Sequence, residues 1–296
     1  MAWVTFDKPP NAFPVRDFAA ARMARILPLW WLVNLATLAS QYPDLPGAGV
    51  IARNLTLTSA LAPTPDIALG GWSIHIEAAF YLLFPLMVTL VRGRRALAVF
   101  FVGALVLRYV HLSDVWPAAG VELRNYFAIP TFLAFFVGGM LVAEVRRHRS
   151  PARSWWPALI GVALLAGTFL TSWRRGAEVH GLTDRTIMTG PWAIVLTFAC
   201  VGAVAAFAFL PNPTSGWGRT LAETLGAISY GAYLLHPLVY TVLHRLEGTL
   251  GLGDAAVITL TVVGTVIGAW CSHRFFEMPA RRFIRRRLAS PGGAAA

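Results

Sequence analysis

Long apolar runs separated by short polar connections make up most of the chain. Each run holds about 20 mostly apolar residues without sustained alternation, as does a helix that crosses a bilayer core of roughly 30 Å. Strands are excluded because a membrane barrel would need alternating segments of about ten residues. The pattern predicts an all-α polytopic transmembrane helical bundle of about eight spans, at residues 26–43, 72–91, 96–112, 125–143, 155–173, 190–210, 225–245 and 254–273.

Composition supports this prediction through the scarcity of charge. Of the 296 residues, 56% are hydrophobic and only 13% are charged, whereas soluble domains carry about 25% charged residues. So few charges do not cover the surface of a soluble protein of this size, and disorder is excluded by the same numbers. The two cysteines form neither a disulfide framework nor a metal site.

The basic residues act first as topology signals. The chain has 25 Lys and Arg against 14 Asp and Glu. With both termini cytoplasmic, the inner connections receive about three times as many Lys and Arg as the outer ones. No nucleic-acid partner is therefore predicted. The predicted organisation is an interfacial N-terminal segment at 1–25, a transmembrane domain at 26–276 and a basic cytoplasmic tail at 277–296, in the plasma or inner membrane.

A pair of arginines precedes the first predicted span. Arg22 and Arg25 share one helix face at the cytoplasmic mouth of that span. Guanidinium forks match the geometry of phosphate, so the pair is a candidate anion clamp. The alternative is that both residues are topology anchors with snorkelling side chains. Pro28 is expected near the start of this helix, where proline is tolerated.

A carboxylate falls inside the second predicted span. Glu77 shares a helix face with Ser73 and Tyr81, while His75 points away, and it lies about one and a half turns from the outer end of the span. Intramembrane carboxylates usually face the bundle interior or a wet cavity. Glu77 is therefore a candidate catalytic or substrate-orienting acid. The alternative is a structural partner for an arginine on a neighbouring span, such as Arg108.

The seventh predicted span carries a polar stripe. Ser229, Tyr233, His236 and Tyr240 recur on one helix face, which indicates a buried polar path. The alternative is a hydrogen-bond network that only holds the bundle together. A Ser–His hydrolytic dyad is disfavoured because no Gly-x-Ser-x-Gly elbow occurs, and no nucleotide or metal motif of the common kinds is present.

Together these constellations resemble the acyltransferase 3 family of integral membrane acyltransferases. The resemblance covers nearly the whole chain. It rests on four blocks in order: Arg22-x-x-Arg25-Ile26-x-Pro28; Asn54-Leu55-Thr56-Leu57 with Trp72-Ser73-x-x-x-Glu77-x-x-Phe80-Tyr81-x-x-x-Pro85; Ser229-Tyr230-x-x-Tyr233-Leu234-x-His236; and Phe276-Glu277-Met278-Pro279.

The resemblance implies transfer of an acyl group, often acetyl, from cytoplasmic acyl-CoA to a hydroxyl of a carbohydrate or glycosylated acceptor. Acyl-CoA would be a co-substrate, with no permanently bound cofactor and no metal. The expected catalytic residues are Glu77, Ser73 and His236, and the expected donor-binding residues are Arg22, Arg25, Ser229, Tyr230 and Tyr233.

The start of the chain departs from the family pattern. Family members typically have ten spans, with a histidine in the first that is thought to be the catalytic base. Here Met1-Ala2-Trp3-Val4 resembles the tail of the second span, so the first two spans and that histidine are apparently lacking. We expect a fragment or a start site placed too far downstream. The alternative is a naturally shortened relative with altered or no activity.

Two other classes of function stay open on the residues alone. A transporter or flippase of a glycosylated or lipid-linked substrate would explain the polar spans but not the paired arginines. A non-catalytic membrane interaction or sensor protein is the third class. Binding of acyl-CoA that depends on Arg22 and Arg25 separates the enzyme from both alternatives.

Overall fold

The computed structural model describes residues 13–61, 64–112, 128–149, 156–178, 190–210 and 216–288. These residues form helices without any strand, which confirms the predicted all-α class. The helices are α1 (Val15–Gln41), α2 (Ala48–Leu55), α3 (Trp72–Leu90), α4 (Gly93–Leu112), α5 (Ile129–Arg147), α6 (Trp156–Glu178), α7 (Gly190–Ala208), α8 (Trp217–Leu250), α9 (Asp254–Ser272) and α10 (Met278–Leu288). A π-helical turn, His273–Glu277, joins α9 to α10.

Several of these helices have the length and apolar composition needed to cross a membrane. Within the described ranges there are five: α1, α3, α4, α5 and the continuous stretch Asp254–Ile284. The protein is therefore a multi-pass α-helical membrane protein. The full number of eight spans and the cytoplasmic position of both termini stay predictions.

Helix α1 begins well before the apolar run that predicted it. It starts at Val15 rather than at residue 26, because alanine and arginine are strong helix formers and extend the helix beyond its apolar part. The predicted boundary between 1–25 and 26–276 thus falls inside one helix. Of the two predicted terminal segments, residues 1–12 and 289–296 lie outside the described part of the chain.

The earlier start corrects the expectation for Pro28. This proline lies in the interior of α1 and not in its first turn. An interior proline donates no hydrogen bond to the carbonyl four residues before it, here that of Ala24, and its ring crowds that carbonyl. Pro28 is therefore a point where α1 can bend, one turn from Arg25.

By internal contacts the described chain divides into two compact units. Within the described residues, the first unit falls in Pro14–Tyr81 and Pro213–Ala296, and the second falls in Leu82–Asn212 together with Phe13. The boundary falls within α3. In the first unit α8 packs along α9, and α10 packs along α1. The core of the first unit lies between α1, the first turn of α3 with the segment before it, and α8: Ile26, Leu29, Trp30, Val33, Ala68, Ile74, Tyr230 and Leu234.

The order of contacts shows that α1 and the first half of α3 run antiparallel. Arg22 contacts Tyr81, and the ring of Trp30 lies against Gly71, where an added Cβ would stand 2.8 Å from the indole. α3 therefore begins beside the middle of α1. The register of the two helices decides which polar side chains meet.

The second unit is built from α4 to α7, with α4, α5 and α7 in mutual contact and α6 against α7. Its core is a cluster around Phe101, Leu105 and Val137. Arg108 is 1% exposed and donates hydrogen bonds to the carbonyls of Thr131 and Ala193. Its charge is thus held by backbone dipoles inside this unit.

A pair of adjacent glycines in α5 provides a matched test of this packing. A Cβ at Gly138 would lie 2.7 Å from Val201, whereas at Gly139 nothing lies within 4 Å. We expect Gly138→Ala to lower the free energy of unfolding by about 1–3 kcal/mol through overpacking, and Gly139→Ala to be neutral or slightly stabilising. Thermal unfolding of both variants in detergent measures the difference, and equal midpoints would contradict this helix interface.

Candidate functional site

A small polar cavity lies within the first unit. Its volume is about 270 Å³, and it is formed where α1, the start of α3 and the first half of α8 approach each other. Six of the eight residues predicted for the site line it: Arg25, Ser73, Glu77, Ser229, Tyr230 and Tyr233. The fold therefore brings together residues from three of the four sequence blocks.

A hydrogen-bonded chain joins the arginine motif to the carboxylate. Nη1 of Arg22 donates to the hydroxyl of Tyr81 over 3.3 Å, and that hydroxyl donates to Oε1 of Glu77. Glu77 and Tyr81 are four residues apart on α3, so they share one helix face. Tyr81 thereby fixes the carboxylate of Glu77 relative to the guanidinium of Arg22.

The guanidinium of Arg22 keeps unused donors. Arg22 is 8% exposed. Its Cζ lies 5.4 Å from the ring centroid of Phe18 and 5.0 Å from that of Tyr81. Nε and Nη2 are buried without a hydrogen-bond partner among the described residues. Buried charged donors without partners are costly. Such donors are satisfied when an anion binds, so the geometry favours the clamp over the snorkelling anchor.

Tyr233 ties α8 to the segment that precedes α3. Its hydroxyl accepts a hydrogen bond from Oγ of Ser73 at 2.7 Å and donates to the carbonyl of Gly70 at 2.9 Å. Gly70 has a φ of +78°, a conformation that favours glycine. The hydroxyl of Ser73 is thus held in a fixed orientation at the wall of the cavity.

Tyr230 links α8 to α1. Its hydroxyl donates to the carbonyl of Ile26 over 2.8 Å, one residue after Arg25. The side chain is buried in the core of the unit, and it also borders the cavity. It therefore holds the backbone that carries Arg25 against the polar stripe of α8.

The proximity of Glu77 to the arginines was not predicted from the sequence. We expected Glu77 about one and a half turns from the outer end of its span and the arginines at the inner mouth of theirs. The structure instead places Glu77 one hydrogen-bonded residue away from Arg22 and in the same cavity as Arg25. Glu77 comes close to Arg22 because α3 runs antiparallel to α1 and begins beside the middle of α1.

Comparison with known proteins agrees with this assembly of motifs. A family model described as an acyltransferase domain, that of acyltransferase 3, matches residues 2–274. The chain belongs to the acyltransferase 3 family. The first three of the four sequence blocks that suggested the family lie within this one acyltransferase domain, and the fourth, at 276–279, follows directly after the matched residues.

Two curated relatives of this acyltransferase cover almost its whole length. The exopolysaccharide production protein ExoZ of Rhizobium meliloti (strain 1021) is 28% identical over 98% of this chain and 88% of its own. The acyltransferase MdmB of Streptomyces mycarofaciens is 26% identical over 97% of this chain and 79% of its own. No solved structure matches.

His236 and Arg22 are the two predicted site residues that do not line the cavity of the acyltransferase. His236 is exposed on α8, one turn beyond Tyr233. Its Nδ1 lies 2.7 Å from the carbonyl of Tyr233, and its ring centroid lies 5.7 Å from that of Tyr233. His236 continues the polar stripe toward Tyr240 and is not brought together with Glu77.

Two residues of this acyltransferase have roles that the sequence did not indicate. Tyr81 was noted only as a neighbour of Glu77, yet it connects Glu77 to Arg22. Asn54 is fully buried and binds the carbonyl of Pro65 and the amide of Ile67, while its own carbonyl accepts from Trp30. The signal for Asn54 was its place in the second sequence block, which did not indicate what its side chain binds.

Glu77 accepts a hydrogen bond from Tyr81 and is linked through it to Arg22, an arginine of a neighbouring helix, so a structural role beside an arginine stays the alternative for this carboxylate. His75, on the other side of α3, lies 3.4 Å from Asp66. The carboxylate of Glu77 therefore faces the cavity of the acyltransferase together with Arg25.

Proposed function

We propose that this acyltransferase transfers a small acyl group, acetyl in the first instance, from cytoplasmic acyl-CoA to a hydroxyl of a carbohydrate or glycosylated acceptor, in the plasma or inner membrane. The observation that carries the proposal is the buried guanidinium of Arg22, which has two unpartnered donors and is linked through Tyr81 to Glu77. The name of one relative, which refers to exopolysaccharide production, supports the acceptor class, and the name of the other supports acyl transfer.

The donor would be held by its phosphates. Coenzyme A is a polyanion, and forked donors are provided by Arg25, which lines the cavity, and by Arg22 three residues before it on α1. The cavity, at about 270 Å³, lies below the usual range of sites that enclose drug-sized ligands. It therefore suits the thioester and a short acyl chain, while the nucleotide part of the donor remains outside it.

Glu77 would act as the general base that takes the proton of the acceptor hydroxyl. The acceptor oxygen attacks the thioester carbonyl carbon, so a C–O bond forms and the C–S bond breaks. The carboxylate of Glu77 receives the proton of the acceptor hydroxyl, and the departing CoA sulfur takes up a proton to leave as the thiol. Tyr81 and Ser73 would position the carboxylate and the acceptor respectively.

Donor binding is the most direct test. We expect acetyl-CoA to bind the purified full chain in nanodiscs, and Arg25→Ala to weaken that binding about 10-fold or more, as for loss of a charge-assisted hydrogen bond. Isothermal titration with acetyl-CoA measures the dissociation constant. The matched control is Arg94→Ala, an exposed arginine predicted on the same side of the membrane.

The outcomes separate the candidate functions. Equal weakening in both variants would mean that Arg25 acts only through general charge, and absence of binding by the wild type would reject the acyl-CoA donor. Movement of a glycoside across the bilayer without release of CoA would support the transporter or flippase instead. Release of CoA thiol that depends on a glycoside supports the enzyme.

A further inference from the structure

A second and larger cavity lies at the opposite end of α1 from the arginines. Its volume is about 650 Å³, and its walls are the end of α1 with the loop that follows, α2, and the segment Pro65–Ile67. From Arg22 to Ser40 the helix rises by about 27 Å at 1.5 Å per residue, close to the roughly 30 Å of a bilayer core. The cavity is thus separated from the donor-binding end by about one hydrocarbon thickness along α1.

The lining combines an aromatic ring with polar groups. The side chain of Tyr42 is 77% exposed and borders the cavity together with the amide of Gln41 and the carboxylates of Asp44 and Asp66. An aromatic ring offers an apolar face, and carboxylates accept hydrogen bonds from hydroxyl groups. A sugar ring presents the complementary pair, with C–H groups on its faces and hydroxyl groups at its edge.

The charge of the lining restricts the ligand further. Two carboxylates border the cavity, and among the lining residues that the structure describes there is no arginine or lysine. Like charges placed together oppose binding. The cavity therefore disfavours phosphates, uronic acids and coenzyme A itself, and favours an uncharged sugar.

The wall that carries Asp66 is held in place by buried contacts. Asp66 lies 3.4 Å from Nε2 of His75, which is 1% exposed. On either side of Asp66, Asn54 binds Pro65 at 2.9 Å and Ile67 at 3.1 Å. A wall that is already ordered loses little conformational freedom when a ligand binds. These contacts are what a preformed subsite requires, whereas an exposed loop tip would lack them.

We infer that this cavity is a subsite for an uncharged sugar unit of the acceptor. The inference rests on the proposed function and adds to it the position and charge of one sugar unit of the acceptor, a unit remote from the hydroxyl that is acylated beside Glu77. The anionic donor is drawn to the arginines at one end of α1, and the carboxylates at the other end exclude it. Opposite charge at the two ends keeps each substrate at its own entrance.

Saturation-transfer NMR on the full chain in nanodiscs tests the subsite without requiring turnover. The probes are a neutral methyl glucoside, methyl glucuronide and glucose 1-phosphate. We expect saturation of the methyl glucoside and little of either anion. Because the ring of Tyr42 is mostly exposed, Tyr42→Ala removes little packing, and we expect it to weaken binding of the methyl glucoside about fivefold, as for loss of one aromatic contact.

Two further variants complete the experiment. Tyr109→Ala removes a half-exposed tyrosine of α4 and is the matched control, which should bind the methyl glucoside like the wild type. Asp44→Asn should increase the signal of methyl glucuronide, because a like charge is removed. Equal signals in Tyr42→Ala and Tyr109→Ala, no saturation of the methyl glucoside by the wild type, or preferential saturation of an anion would each overturn the subsite.

Failure of the subsite and failure of the proposed function are distinguishable. Loss of the arginine-dependent binding of acetyl-CoA rejects the donor while leaving the NMR result intact. Acyl transfer to glycosides with the same acceptor KM in wild type and Tyr42→Ala rejects the subsite alone. An increased acceptor KM in Tyr42→Ala with an unchanged donor KM supports both.

Discussion

Replacing Glu77 by glutamine is expected to lower kcat for acyl transfer by about 10²–10⁴-fold, the usual contribution of a positioned general base. Glutamine keeps the size of the side chain and can still accept the hydrogen bond of Tyr81, so the fold should be retained. It cannot take up the proton of the acceptor hydroxyl. Release of CoA thiol in the presence of a panel of neutral glycosides measures the rate.

Two comparisons make this result specific to the proton. Binding of acetyl-CoA to Glu77→Gln should stay close to the wild-type value, because the donor is held by the arginines. Glu223→Gln, which removes an exposed carboxylate paired with Arg219 on α8, should leave the rate unchanged. A Glu77→Gln variant that retains wild-type kcat would show that the carboxylate only orients its neighbours.

The second large effect is expected at Arg22, and it concerns binding rather than the chemical step. Arg22→Met should raise the dissociation constant for acetyl-CoA about 10- to 100-fold, because hydrogen bonds to charged groups contribute about 1.5–3 kcal/mol. Methionine fills much of the buried volume, so packing against Phe18 and Tyr81 is largely kept. Titration with acetyl-CoA measures the change.

Lysine at the same position provides the sharper comparison. Arg22→Lys keeps the charge but not the fork, and one ammonium group does not replace the Nε and Nη2 donors together. We therefore expect Arg22→Lys to bind acetyl-CoA more weakly than the wild type but more tightly than Arg22→Met. Equal affinity in all three proteins would mean that the buried donors of Arg22 have another purpose, and unchanged thermal unfolding shows that the variants are folded.

Much of the site was predictable because helix periodicity places residues on a common face. Ser73 and Glu77 are four residues apart, as are Ser229 and Tyr233, so each pair had to point the same way. The structure adds that both faces border the same cavity as Arg25. Six of the eight predicted residues meet there, and Arg22 joins them through Tyr81.

The positions of the helices relative to one another were not predictable in the same way. Hydropathy marks where a segment is apolar, and the polar first turns of α1 gave no apolar signal although they are helical. The contact between Arg22 and Tyr81 depends on how far α1 and α3 slide past each other, which no periodicity specifies. For the same reason the proximity of Glu77 to Arg22 could not be predicted, while the orientation of Glu77 toward a cavity agrees with the structure.

The conformation of the connection between α9 and α10 also could not be predicted from sequence periodicity. The π-helical turn at His273–Glu277 inserts one residue more than an ordinary α-helical turn at this point would contain. In that turn Glu277 is 3% exposed, accepts a hydrogen bond from Ser272 at 3.1 Å and lies against Gly231 of α8. A carboxylate flanked by phenylalanine and methionine gave no hint of such an environment.

That extra residue sets the rotation of α10 about its helix axis. Each residue of an α-helix turns the chain by about 100°, so deletion of one residue between Ser272 and Met278 would convert the turn to ordinary α-helix and rotate α10 by that angle about its own axis. The side of α10 that now faces α1 would turn away, and its arginines would point in another direction. The extra residue of the π-helical turn therefore sets the rotation of α10 relative to α9. At this turn the number of residues matters more than the identity of any side chain.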